Sequence, residues 1–171
     1  NGNIDWGSTI ALGNTTDRAD TDQSQKNDVN VLNLNSTEVW DSAIYGTAGA
    51  DIITGGSQFS QMTVATGAGS DSVNTNDVNY STIALGNTLD KADTDAGQKN
   101  DHNILKASQI LESSLFGTSG RDDIAVRSVI NSTIATGAGN GGAQFAYGFD
   151  GVHAENPCSV AGKLTALTSV T

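Results

Sequence analysis

The sequence predicts an all-β chain, a right-handed parallel β-solenoid in two duplicated lobes with acidic loop insertions. Three observations predict it: a long internal duplication, a shorter period inside it, and a composition poor in large side chains. Residues 8–30 (STIALGNTTDRADTDQSQKNDVN) and 81–103 (STIALGNTLDKADTDAGQKNDHN) are identical at 18 of 23 positions, at an offset of 73. The match continues with small gaps: AIYGTAGADI at 43–52 answers SLFGTSGRDDI at 114–124, and TVATGAG at 63–69 answers TIATGAG at 133–139. The duplication spans roughly residues 8–142. It divides the chain into a first lobe, 1–80, a second lobe, 81–142, and a C-terminal cap or assembly segment, 143–171.

The inner period marks the coils. Short apolar runs, each closed by a glycine turn, place such turns near Gly13, Gly46, Gly67, Gly86, Gly117 and Gly137. Their spacings are 33, 21, 19, 31 and 20 residues, so a coil takes about 20 and each copy carries one insertion of about 11. Ile10 and Leu12 alternate as strand residues do, as do Ile83 and Leu85. Runs this short bury enough area only when stacked coils share one narrow core. Helical periodicity is weak; Ser36–Ala43 and Ala107–Ser114 suit one or two helical turns or a strand.

With 36% apolar residues, 5% aromatics and 20 glycines, the chain favours frequent turns over a large globular core. A net charge of −11 disfavours nucleic acid and anionic membrane surfaces, both of which select Lys and Arg. It favours hard cations, or simply solubility. No apolar run is long enough to span a bilayer. Cys158 is the only cysteine, so no intrachain disulfide forms.

The turns carry the strongest motif. Gly46-Thr-Ala-Gly49-Ala-Asp51-Ile-Ile, Gly67-Ala-Gly69-Ser-Asp71-Ser-Val and Gly117-Thr-Ser-Gly120-Arg-Asp122-Asp-Ile resemble the calcium-binding nonapeptide of RTX (hemolysin-type) proteins, in a divergent form. That family places two nonapeptides in each coil in uninterrupted tandem; here the motifs are isolated and lack the first glycine pair. The resemblance implies a β-roll-like stack with calcium held between successive loops. The implied metal positions are Asp51, Asp71, Asp122 and Asp90, with Gly46, Gly49, Gly67, Gly69, Gly117 and Gly120 shaping the turns. On this reading Asp51, Asp71 and Asp90 line one edge. The alternative is that Gly and Asp build the turns alone, the carboxylates accepting local backbone hydrogen bonds.

The acidic insertions form a second candidate. Asp17, Asp20, Asp22 and Asp28 answer Asp90, Asp93, Asp95 and Asp101 one for one. They suit a further metal site, an interface loop, or a solvated acidic loop. His102 and His153 belong to no catalytic motif, and no HExxH, GxSxG or P-loop occurs. The expectation is a non-enzymatic structural or adhesive protein of an extracellular, cell-surface or virion-surface setting. It would be stabilised by calcium and assemble with copies of itself into a surface layer, filament or fibre. The alternatives are a glycan- or ice-binding solenoid with a cell-surface contact, or a phage fibre or decoration protein.

Overall fold

A computed structural model describes residues 7–35, 38–137, 142–145, 149–150 and 165–166. The described residues form a parallel β-solenoid. Coil 1 comprises β1 (Thr9–Ala11), β2 (Val29–Asn35) and β3 (Glu38–Trp40). Coil 2 comprises β4 (Ala43–Thr47), β5 (Ala50–Gly55) and β6 (Gln58–Ser60), and coil 3 β7 (Thr63–Gly67), β8 (Ser72–Asn74) and β9 (Asp77–Asn79). Coil 4 is β10 (Thr82–Ala84) with the long β11 (His102–Leu111); coil 5 is β12 (Ser114–Phe116) with β13 (Arg121–Ile130). A sixth coil opens with β14 (Thr133–Ala135), followed by β15 (Gly142–Phe145), β16 (Phe149–Asp150) and β17 (Thr165–Ala166). One six-stranded sheet runs β1-β4-β7-β10-β12-β14, and the longer sheet runs β17-β15-β13-β11-β8-β5-β2.

The two copies continue each other without a break. β10 pairs β7, and β11 pairs both β8 and β9, so the boundary at residue 80 lies inside both sheets. Both segments suited to a helical turn are strand: Glu38–Trp40, and the second half of β11. Pairing with neighbouring coils overrides a weak helical preference there, because Val39 and Ile110 occupy inward positions that the coil below and above fill in register.

Three apolar columns fill the interior. Ile10, Ile44, Val64, Ile83, Leu115 and Ile134 stack along the six-stranded sheet. Leu32, Ile53, Val73, Leu105 and Ile124 form the second column. Val39, Phe59, Val78, Ile110 and Val129 form the third. Each coil contributes one side chain per column, which is why so few large residues suffice. A fully buried aliphatic side chain is worth about 1.5–3 kcal/mol over an exposed one.

The chain returns from the longer sheet to the six-stranded sheet through a repeated corner. Asp41, Gln61, Tyr80, Glu112 and Asn131 all take positive φ, between 44° and 55°. In four of the five a serine follows: Ser42, Ser81, Ser113 and Ser132. The Ser81 hydroxyl donates to the Asn79 carbonyl at 2.7 Å and accepts the Met62 N–H at 2.9 Å. Ser113 accepts the Ser81 N–H, and Ser132 the Ser113 N–H, at 3.0 and 3.1 Å. A serine ladder thus satisfies the amides of Met62, Ser81 and Ser113, each from the next coil.

Ile83 is fully buried and Ile10, its equivalent, only partly. Ile83→Ala is expected to cost about 2–5 kcal/mol in chemical denaturation, and Ile10→Ala less than half as much. Equal costs would mean that coil 1 is covered as completely as coil 4.

Candidate functional site

The turn leaving the six-stranded sheet gathers the residues singled out by sequence. Asp51, Asp71 and Asp122 lie at one corner of the stack, all essentially fully buried. They belong to a column of five, Asn30–Asp51–Asp71–Asn103–Asp122, running through the register of the longer sheet. Asn30 Nδ2 donates to Asp51 Oδ1 at 2.9 Å. The Asp51 N–H donates to Asp71 Oδ1, and the Asp71 N–H to Asn103 Oδ1, each at 2.9 Å. Asn103 Nδ2 donates to Asp122 Oδ1 at 3.0 Å. Asp51 Oδ2 also accepts the Thr47 N–H at 2.6 Å, and Asp122 Oδ2 the Thr118 N–H at 2.8 Å.

Glycine makes room for this column. A Cβ on Gly46 would strike the Thr66 carbonyl and the Asp51 carboxylate. Gly67, at φ 97°, lies against the Thr47 carbonyl of the coil before it. Gly69 lies against the Gly49 backbone, and Gly117 against the Asp122 carboxylate. Gly49 and Gly120 serve a different contact: the acidic loops dock on them through the carbonyls of Gln25 and Asp28, and of Gln98 and Asp101.

Asp90 does not stand in the column. The next rung after Asp71 is Asn103, while Asp90 is exposed in the inserted loop. An insertion bulges outward from the stack, so the rung passes to the residue that re-enters the sheet after it.

The column does not fit a calcium ion at Asp51 or Asp122. Calcium needs converging oxygen ligands, and here the oxygens of both carboxylates face N–H donors. Among the described residues no three acidic, His or Cys side chains converge as a metal centre would require. Asp71 differs from the other two. Thr66 stands behind it where Gly46 and Gly117 stand behind Asp51 and Asp122, and the Gly67 N–H, at the place of the Thr47 and Thr118 donors, goes to the Gly86 carbonyl at 3.3 Å instead. Asp71 Oδ2 and Thr66 Oγ1 are buried neighbours, and neither has a hydrogen-bond partner of good geometry.

Burial drives the electrostatics. It pushes the Asp71 carboxyl well above the ordinary carboxylate range, and the charges of Asp51 and Asp101 push it further, against the Thr66 hydroxyl and the Asp51 N–H. Burial also raises Asp51, opposed by Thr47 and Asn30, and raises Asp122 to about 6, opposed by Thr118 and Asn103. Burial thus favours the neutral form of the Asp71 carboxyl relative to an exposed one.

The acidic insertions are folded loops. Asp20 accepts the N–H groups of Asn14 and Asp22, and Asp93 those of Asn87 and Asp95. Asp22 and Asp95 cap the short 3-10 turns Gln23–Gln25 and Ala96–Gln98. The Ser24 N–H holds the Asp22 carboxyl below its usual range. Asp101 reaches back one coil to accept the Gly69 N–H at 3.0 Å. Burial raises its carboxyl, as does the charge of Asp95. Asp17 and Asp28 are exposed.

Two features escaped the sequence reading. The serine corner was signalled by the recurring D-S-A-I, Q-M-T-V, Y-S-T-I, E-S-S-L and N-S-T-I. The exposed cluster in which Arg121 and His102 both contact Asp123, at 2.7 and 2.8 Å, carried no signal. A depression of about 230 Å³ lined by Ser8, Asp41, Ser42, Gln61 and Thr63 holds one acid and no base. His153 and Cys158 lie outside the described residues.

These geometries separate variants that look alike on paper. Asp71→Asn places an amide donor beside Thr66 and is expected to stabilise the protein at pH 7 by roughly 1–3 kcal/mol, the cost of an unpartnered buried polar atom. Asp122→Asn turns an acceptor into a donor facing an N–H and should destabilise by a similar amount. Thermal melting reads both. Carboxyls whose folded pKa exceeds the unfolded value stabilise the fold below that unfolded value, and the gain is lost as pH rises through the folded pKa. For Asp122 the window runs from 3.8 to about 6. Melting is thus expected to be higher near pH 5 than near pH 7.5, and Asp71→Asn should flatten that difference.

No family model, no curated protein and no solved structure matches this chain.

Proposed function

We propose that this protein is a non-enzymatic structural element, a stack extended by repetition and suited to a surface layer, filament or fibre outside the cell or on a virion. The observation that supports this most is the use of its buried polar groups. At the two corners Asp71, Asn103, Ser81, Ser113 and Ser132 each accept a backbone N–H of the preceding coil, while Asp51 and Asp122 accept one from their own turns; among the described residues no buried acid–base pair is left for chemistry. In a one-dimensional stack each coil contacts only its neighbours, so stability grows by repetition.

Calcium has a different place here from the one the turn motif implies. The buried corner holds itself together by hydrogen bonds; the carboxylates open to a cation are the exposed ones of the acidic loops. Cations would then screen repulsion between chains of charge −11. Glycan binding is less favoured, since among the described residues Tyr80, at 55% exposure, is the one aromatic of the large exposed apolar side chains.

Sedimentation across protein concentration tests the reading. Association that strengthens with added sodium chloride or calcium alike is expected, with melting of the dilute chain little changed by chelator. A large fall in melting temperature on chelation, restored by calcium alone, would contradict it.

A further inference from the structure

The duplication turns one interface inside the chain into a template for another. Where coil 3 meets coil 4, the Thr82 N–H donates to the Met62 carbonyl and the Ile104 N–H to the Asp71 carbonyl, both at 2.8 Å. Asp101 caps the Gly69 N–H and Asn103 the Asp71 N–H. β10 pairs β7 in the register Thr82↔Thr63, Ile83↔Val64, Ala84↔Ala65. Coil 1 carries the same residues at the same places: Thr9, Ile10, Ala11, Asp28 and Asn30. Among the described residues, however, coil 1 has no coil before it, and β1 ends the six-stranded sheet.

The other end of that sheet is β14, and its sequence repeats that of coil 3. Ser132–Gly139 (STIATGAG) matches Met62–Gly69 (MTVATGAG) at 6 of 8 positions. Among the described residues β14 pairs β12 on one side only. Among the described residues, the two edges of this sheet are therefore the sequence equivalents of two strands that pair inside the chain.

We infer that β1 of one copy pairs in parallel with β14 of a second copy, Thr9 opposite Thr133, Ile10 opposite Ile134 and Ala11 opposite Ala135. This rests on the assembly reading above and specifies its register. The backbone supports the direction of bonding. Ser8 and Leu12 bond toward β4, through Ala43 N–H→Ser8 O and Leu12 N–H→Tyr45 O. Thr9 and Ala11 point the other way, as Thr82 does toward coil 3. By sequence, Gly139 and Gly141 correspond to Gly69 and Asp71, and Asp28 and Asn30 to Asp101 and Asn103, the residues that accept the Gly69 and Asp71 N–H groups inside the chain. In the longer sheet β17 already lies on β15, so the seam belongs to the six-stranded face. A head-to-tail contact of this kind generates an open filament or a ring.

The test uses the full chain at raised ionic strength, which weakens repulsion between the acidic copies. In a Cys158→Ser background, chains carrying Thr9→Cys are mixed with chains carrying Thr133→Cys under mild oxidation. A Thr9→Cys variant mixed with Thr63→Cys is the control, because β10 already occupies that strand. The inference expects a 9–133 cross-link at least tenfold above the 9–63 control. Ala11→Pro, which removes only an outward N–H at a sheet edge, should abolish association while leaving melting of the dilute chain unchanged. Association that survives Ala11→Pro, or no excess of the 9–133 cross-link, overturns the register and leaves assembly standing. A monomer at high concentration under all conditions overturns both.

Discussion

At the corner where the chain leaves the six-stranded sheet, each coil must bury backbone N–H groups that its own strand cannot satisfy. The column Asn30–Asp51–Asp71–Asn103–Asp122 meets that requirement, and the rest of the stack follows from it. An unpartnered amide in that interior costs on the order of 1–3 kcal/mol, comparable to what one core aliphatic contributes. The ladder fixes the coil register, because a shift by one residue would withdraw every acceptor at once and turn the apolar columns outward. The Met62–Ser81–Ser113–Ser132 ladder does the same at the opposite corner with neutral groups.

Ionisable rungs cost more than neutral ones. Asn at two rungs supplies both an acceptor and a donor without charge. Asp at Asp51 and Asp122 is justified by two N–H donors on each carboxylate, made reachable by Gly46 and Gly117. Asp71 lacks one of those donors, the corresponding Gly67 N–H being bonded to the Gly86 carbonyl. The acidic loops sit beside this corner, and their inner aspartates are spent on their own turns. Asp101 is the exception: it ties a loop to the preceding coil across the boundary between the two copies.

Much of the fold was legible. The duplication and the glycine spacing gave the stack and the coil length, and alternation in Ile83 and Leu85 gave the inward face. The candidate site was half legible. Gly-x-Asp turns marked Asp51, Asp71 and Asp122 correctly as a column, yet spacing alone placed Asp90 where Asn103 belongs, since a count of residues does not show where an insertion re-enters a sheet. The direction in which a carboxylate points was not legible either. The same Gly and Asp pattern serves a cation when carbonyls converge and serves amides when the turn presents N–H groups, and only backbone geometry distinguishes them. Positive φ at Asp41, Gln61, Tyr80, Glu112 and Asn131 was hidden because five different residue types adopt it.

The central claim is that buried carboxylates and amides, without a metal, hold the corner together. Amide hydrogen exchange in the presence of chelator addresses it directly. The N–H groups of Thr47, Asp51, Asp71 and Thr118 should exchange as slowly as those of the core strand residues Ile53 and Leu105, opening only with the whole stack. Rapid exchange at those four amides in chelator, slowed to the core rate when calcium is added, would contradict the account.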